Sequence, residues 1–144
     1  MVTESYAELV SLTPLRVRMV FTECWPPSVN NITAVVHGRK IKSKAGRDFT
    51  AFIKSEIERF RTKLDIPKFT GRVGVILKLH AKTNGRYDID NKPKAVEDSM
   101  TASNIWIDDE QVDLLIIKRC RKQSGGGFSI TIMELPPGFG DDDE

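Results

Sequence analysis

The stretch G-R-V-G-V-I-L-K-L-H-A, Gly71 to Ala81, leads within a few residues into R-Y-D-I-D-N-K-P-K-A-V-E-D-S-M, Arg86 to Met100. In the first, Val73, Val75, Leu77 and Leu79 alternate with other residues, the period of a strand with one apolar face. In the second, Val96 and Met100 repeat at i and i+4, Pro93 suits a first helical turn, and Asp90 or Asn91 can cap. A short helix is therefore expected from about Lys92. Between strand and helix stand two carboxylates, Asp88 and Asp90, one residue apart. On an extended segment such a pair points to the same side, because side chains alternate across a strand. Unpaired, the two repel. A hard divalent cation would remove the repulsion, since Mg²⁺ prefers oxygen ligands and is commonly held by one or two carboxylates with water and phosphate.

Upstream, Phe49, Phe52, Ile53, Ile57, Phe60 and Leu64 recur at spacings of three and four. This predicts an amphipathic helix from Ser43 to about Leu64, ended by Ile66-Pro67. Leu15 to Phe21 alternates as a strand with Arg16 and Arg18 on one face. W-P-P-S-V-N-N, Trp25 to Asn31, must interrupt it, because consecutive prolines donate nothing to a sheet ladder. I-T-A-V-V-H-G-R-K-I-K then reads as a basic hairpin turning at His37-Gly38. Downstream, Asn104 closes the short helix, and a strand is expected from Val112 to about Lys122. The turn Ser124 to Gly127 would join it to Phe128–Glu134 as its hairpin partner. Residues 1–14 read as an N-terminal extension, at most a short helix, residues 15–135 as the domain, and residues 136–144 as an acidic, disordered tail. Two main helices among strands in the order βββ, α, β, α, ββ indicate an α+β fold, a small mixed sheet with helices on one face.

A chain of 144 residues with 40% hydrophobic and 29% charged residues is the size and composition of one soluble globular domain. No apolar run is long enough to cross a bilayer, so no membrane partner is expected. The N-terminus carries acids and lacks the basic start of a secretory signal, which places the protein in the cytoplasm. Cys24 and Cys120 are too few for a disulfide framework, no Cys/His cluster has zinc-finger spacing, and both read as inert thiols. The formal net charge of +2 includes four acids at the very end of the chain, without which it is +6. The segment Gly38 to Arg47 holds Arg39, Lys40, Lys42, Lys44 and Arg47 with no acid. This suits a polyanion such as nucleic acid, although a solvated basic hairpin explains the charge equally well.

Taken alone, D-x-D is a weak signal, since surface loops rich in aspartate are common. Its place beyond a strand and at a helix N-terminus, where backbone N–H groups attract phosphate, strengthens it. A third acid, Asp108 or Asp109, could return from the far end of the short helix. Such a triad can hold Mg²⁺, which polarises a phosphoryl oxygen and makes a bound water a better nucleophile. Lys94 carries positive charge in a first helical turn, against the macrodipole. Neighbouring carboxylates or a phosphate in its transition state would offset that cost. Lys92 reads as a solubilising residue, and Asn91 as either a cap or an orienting group for the carboxylates. His37 and His80 lack an adjacent nucleophile motif, and Trp106, between Ile105 and Ile107, reads as core. The absence of a P-loop or Rossmann glycine pattern argues against a nucleotide cofactor.

W-P-P-S-V-N-N, R-Y-D-I-D-N-K-P-K-A-V-E-D-S-M and I-W-I-D-D-E-Q-V-D, in this order and spacing, resemble the RusA family of Holliday-junction resolvases over roughly Leu15 to Glu134. The family pattern is proline-proline-serine-x-asparagine, then D-x-D-N-x-x-K, then W-x-D-D-x-Q. The resemblance implies a RusA-like fold and a homodimer that binds branched DNA at four-way junctions and makes paired, symmetry-related nicks with Mg²⁺, with Mn²⁺ as a substitute. It assigns Asp88, Asp90 and Asp109 as catalytic and metal-binding acids, Lys94 as the catalytic lysine, and Asp108 as a lesser metal neighbour. DNA contacts are expected from Arg39, Lys40, Lys42, Lys44 and Arg86. The first 14 residues and the tail have no counterpart in the pattern, and Tyr87 stands where another basic residue is expected. A junction-binding module that cuts nothing, and a flap or fork endonuclease of the same chemistry, are the alternatives.

Overall fold

Alternating and helical spacings become strands and two helices in the computed structural model, which describes residues 7–13 and 16–141. In chain order these are β1 (Ala7–Thr13), β2 (Arg16–Thr22), β3 (Thr33–Val36), β4 (Arg39–Lys42), α1 (Lys44–Arg61), β5 (Val73–His80), α2 (Pro93–Ala102), β6 (Val112–Arg119) and β7 (Gly127–Glu134). Five strands form a mixed sheet in the order β1-β2-β7-β5-β6, in which only β5 and β6 run parallel. β3 and β4 pair with each other as a separate antiparallel hairpin. The fold is α+β, as the sequence predicts.

The inward residues Val17, Met19 and Phe21 of β2, Val75, Leu77 and Leu79 of β5, and Phe128, Ile130 and Ile132 of β7 line one face of the sheet and are essentially inaccessible. Phe49, Ile53, Ile57 and Phe60 of α1 and Val96 and Met100 of α2 close over that face in a single core. Phe49 lies 6.0 Å from the Phe128 ring, which stacks at 5.0 Å on Phe21. Each such side chain contributes about 1.5–3 kcal/mol on burial. Trp106 is fully buried and donates from Nε1 to Thr101 Oγ1 at 2.7 Å, so it belongs to the core as expected. Among the described residues, no helix is long and apolar enough to cross a membrane.

Several expectations are corrected. Residues 7–13 are not helical: they form β1, antiparallel to β2 at the edge of the sheet. The rest of the 1–14 segment lies outside the described residues. β7 is not the hairpin partner of β6 but inserts between β2 and β5. Burial explains the choice. β7 is buried from Gly127 through Ile132, including Ser129 and Thr131, and only a central position satisfies a strand with both faces covered. β6, with Leu115 and Ile116 exposed, takes the edge. The chain crosses the end of β5 to get there, held by Cys120 N–H on Leu79 O at 2.8 Å and Gln123 N–H on Ala81 O at 2.9 Å. Gly125 and Gly126 supply left-handed backbone at φ +77° and +73°, and a Cβ on Gly127 would meet Phe21 O at 2.6 Å. The strand expected to reach Lys122 therefore stops at Arg119.

α1 ends at Arg61, so Leu64 lies beyond the helix and is exposed. In the tail expected to be disordered, residues 136–141 form turns closed by Phe139 N–H on Pro136 O and Asp141 N–H on Gly138 O. Residues 142–144 lie outside the described residues.

Candidate active site

The loop after β5 brings the D-x-D pair to the start of α2. Asp88 has extended backbone, but Ile89–Asn91 closes into a 3-10 turn, so the pair does not share an extended strand. The same turn displaces the expected caps: Lys92, not Asp90 or Asn91, occupies the N-cap position of α2, without a side-chain bond to the helix. Asp88 and Asp90 are both exposed. Asn91 Oδ1 is buried and accepts no hydrogen bond within the structure.

Beyond α2, Asn104 takes a left-handed conformation at φ +58°, and the chain returns through Trp106 to a second 3-10 turn, Asp109–Gln111. Gln111 fixes that return. Its Oε1 accepts from Ile107 N–H at 2.7 Å and Asp108 N–H at 3.0 Å, and its Nε2 donates to Phe69 O at 3.0 Å and Gly71 O at 2.9 Å. Asp109 is thereby delivered to Lys94, whose Nζ donates to Asp109 Oδ2 at 2.9 Å and to Asp98 Oδ1 at 2.8 Å. Asp108, the N-cap residue of that turn, is exposed and pairs with no cation among the described residues, and its side chain lies within hydrogen-bond reach of Asp109.

Electrostatics follow from those contacts. Hydrogen bonds to Asp98 and then Asp109 hold the Lys94 ammonium well above the usual lysine range. Chiefly because of Lys94, the Asp109 carboxyl is held below the usual carboxylate range. Glu97, half-buried beside them, is pushed up to about 7 by burial and secondarily by the Asp109 charge. The charge count is lopsided: three acids, Glu97, Asp98 and Asp109, gather near one lysine.

On the other side of the D-x-D turn, the W-P-P segment packs against the loop. Trp25 meets Tyr87 edge-on with centroids 5.0 Å apart. Arg119, from the end of β6, lies 4.2 Å over the Tyr87 ring and donates to Tyr87 O at 3.0 Å. Lys92 is not a surface solubiliser: it is 8% exposed, with Nζ 5.4 Å from the Trp25 ring, and burial lowers its pKa. Cys24, also buried here, has its thiol pushed up to about 12, and both cysteines are free.

The basic hairpin has the predicted turn, with His37 and Gly38 at φ 51° and 76°. Its cations are not alike. Arg39 and Lys40 are exposed without ion-pair partners among the described residues, as is Arg86. Lys42 Nζ instead donates to Thr50 Oγ1 at 2.7 Å, and Lys44 pairs with Asp48 at 2.6 Å. Thr50 Oγ1 also accepts from Ser99 of α2 at 3.4 Å, so the root of the hairpin is tied through α1 to the helix that carries Lys94.

A metal was expected at Asp88, Asp90 and Asp109, with Asp108 as a lesser neighbour. The donor chemistry suits a hard divalent ion: carboxylate oxygens, those of Asp88 and Asp90 exposed, beside a buried amide oxygen lacking a donor. The assembly is incomplete, however. Among the described residues, no three His, Cys, Asp or Glu side chains converge in a group that could hold a metal, and Asp109 is engaged by Lys94. Asp98 and Glu97 were not singled out from the sequence. The only signal for Asp98 is its i+4 spacing from Lys94, which any solvated helix can show.

Comparison with known proteins closes the question of kinship. The family model described as Endodeoxyribonuclease RusA matches residues 25–133. The Crossover junction endodeoxyribonuclease RusA of Escherichia coli (strain K12) is 30% identical over 111 residues, covering 77% of this chain and 90% of the relative. The proteins of the same name from Shigella sonnei (strain Ss046) and Enterobacteria phage 82 show the same identity and coverage. The match spans the W-P-P segment, the D-x-D turn, Lys94 and Asp109 together, and the chain belongs to the RusA family of endodeoxyribonucleases.

Proposed function

We propose that this endodeoxyribonuclease resolves Holliday junctions in the cytoplasm during DNA recombination and repair, making paired symmetric nicks in a Mg²⁺-dependent hydrolysis. The observation that carries the reading is the ammonium of Lys94 held at the N-terminal turn of α2, on Asp109 and one turn from the Asp88–Asp90 loop. Positive charge placed there, against the helix dipole, is what a phosphate-cleaving site needs at the oxygens that gain charge. The family membership and the junction named in its relatives supply the substrate class.

Asp88, Asp90 and Asp109 are the acids that would hold the metal, with Asp108 as a lesser neighbour. A divalent ion bound there supplies charge neutralisation at the phosphoryl oxygens and a more acidic water. Lys94 has three N–H donors, of which two serve Asp98 and Asp109 in the structure. The third is available to a non-bridging phosphate oxygen. Arg39, Lys40 and Arg86, exposed and unpaired among the described residues, would grip the phosphate backbone, with Lys42 and Lys44 closer to the body of the protein.

Two nicks related by a two-fold axis call for two copies of the site, and a homodimer provides them. The β6 edge supports this, since Leu115 and Ile116 are 39% and 46% exposed at the border of the sheet.

The test is cleavage of a labelled four-way junction with a short mobile core, beside linear duplex and a flap, in Mg²⁺ and in EDTA. Paired nicks confined to the junction and lost in EDTA are expected. Junction binding without cutting under any divalent metal would make the protein a binding module. Equal cutting of the flap would keep the chemistry and remove the junction selectivity.

A further inference from the structure

Lys94 has two carboxylate partners, and they are not equivalent. Asp109 arrives from the turn beyond α2, fifteen residues along the chain, and is among the acids proposed to face the metal and the phosphate. Asp98 sits on α2 itself, one turn from Lys94 on the same helical face, and accepts from Nζ at 2.8 Å. The Lys94–Asp98 distance is therefore set by the helix, independent of what Asp109 binds. Glu97, the adjacent acid, accepts no hydrogen bond from Lys94 among the described residues.

A lysine is a compact charge on a flexible four-carbon stem. With Asp109 as its sole partner, the ammonium would follow that carboxylate or swing out into water whenever Asp109 turned to another cation. In either case the third N–H would lose its aim. We propose that Asp98 is a positioning residue, a fixed anchor that keeps the Lys94 ammonium at the mouth of the site while Asp109 is released, so that Lys94 donates to the scissile phosphate from a constant position. This role presupposes the phosphodiester hydrolysis proposed above.

The charge arrangement agrees with it. Asp98 is 30% exposed and Asp109 27%, so both contacts are partly shielded from solvent, where charge-assisted hydrogen bonds are stronger than at an open surface. An anchor on the same helix also costs less ordering than one from a separate loop, because the helix backbone already fixes the two Cα positions.

The experiment is a double-mutant cycle on the full chain: Asp98→Asn, Lys94→Ala, both together, and Asp98→Glu. It reads single-turnover junction cleavage in Mg²⁺ and junction affinity in EDTA. Asp98→Asn is expected to cut about 10- to 100-fold slower, the loss typical of a group displaced by roughly an ångström. Its junction Kd should stay within about twofold of wild type, because the interaction lost is made at the reacting phosphate. Asp98→Glu should recover part of the rate. The double variant should be no slower than Lys94→Ala, since Asp98 acts only through that lysine. Multiplied losses in the double variant, or a wild-type rate for Asp98→Asn, would overturn the assignment.

A second readout does not depend on cleavage. In ¹⁵N-lysine-labelled protein at low temperature, the doubly held Lys94 ammonium should give an observable ¹H–¹⁵N signal, identified by its absence in Lys94→Ala. That signal should broaden away in Asp98→Asn, and its persistence unchanged would refute the anchor even with cleavage intact. If the wild type cuts no DNA while the signal behaves as expected, the hydrolase reading fails rather than the Lys94–Asp98 clamp.

Discussion

The basic hairpin and the acidic site are built in opposite ways. β3 and β4 pair residue by residue around a two-residue turn, a pairing local in sequence, and nearly every side chain from Ala34 to Ile41 is exposed. The site is assembled from afar: the loop after β5, the first turn of α2, and a turn delivered by Trp106 and Gln111 beyond it. The hairpin is a presented surface, adjustable one cation at a time. In the site, by contrast, the position of Asp109 depends on buried packing, so a core substitution should act on chemistry as strongly as a substitution of the acids.

The largest effect that could break this contrast is at Trp106. Trp106→Ala removes a fully buried ring and its bond to Thr101, and should lower stability by about 3–5 kcal/mol in urea denaturation. A loss under about 1 kcal/mol would mean that Asp109 is not positioned by the core. Next is Gly46, where hairpin and body meet. A Cβ there would lie 2.7 Å from the Ile32 carbonyl oxygen, which backbone cannot easily yield. Gly46→Ala should cost about 1–3 kcal/mol and weaken DNA binding by shifting the hairpin root. Unchanged stability and affinity would show the root to be tolerant.

Smaller differences separate the cations. Arg39→Ala and Lys40→Ala should each reduce the slope of log affinity against log salt by about 1. Lys42→Ala, whose ammonium already has Thr50 as a partner, should change it less. Equal slopes for all three would mean that Lys42 leaves Thr50 for the DNA backbone.

The smallest effect is a pH dependence at Glu97. Its carboxyl is raised to about 7 by burial, above the ordinary value of 4.5. Between those two values the folded chain binds more protons than the unfolded one, so this group makes stability fall as pH rises. Glu97→Gln should therefore melt higher than wild type at pH 8 and close to it near pH 4.5. The reverse order would place Glu97 in a stabilising ion pair instead.

The same contrast explains what the sequence could reveal. His37-Gly38 between two short β-prone runs is a complete hairpin signal, and the turn forms as read. The α1 face, the β5 alternation and the burial of Trp106 were equally legible, because each rests on periodicity or immediate neighbours. The place of β7 was not. A glycine-rich turn between two apolar strands looks like a hairpin, and only competition for the doubly covered centre of the sheet puts β7 between β2 and β5. Within the site, Asp88, Asp90, Lys94 and Asp109 could be named from motif spacing. The 3-10 turn that separates the first two, the burial of Lys92 against Trp25 and the anchoring of Lys94 by Asp98 depend on three-dimensional neighbours.

The most direct test of the central claim, that these acids and Lys94 form one hydrolytic site for branched DNA, is single-turnover cleavage of a four-way junction by wild type and Asp90→Asn across a Mg²⁺ titration, with junction affinity measured in EDTA. The account predicts that both proteins bind the junction alike and that the wild type alone cuts it, in paired nicks that appear with Mg²⁺. Cleavage by Asp90→Asn at the wild-type rate and the same Mg²⁺ concentration would contradict it.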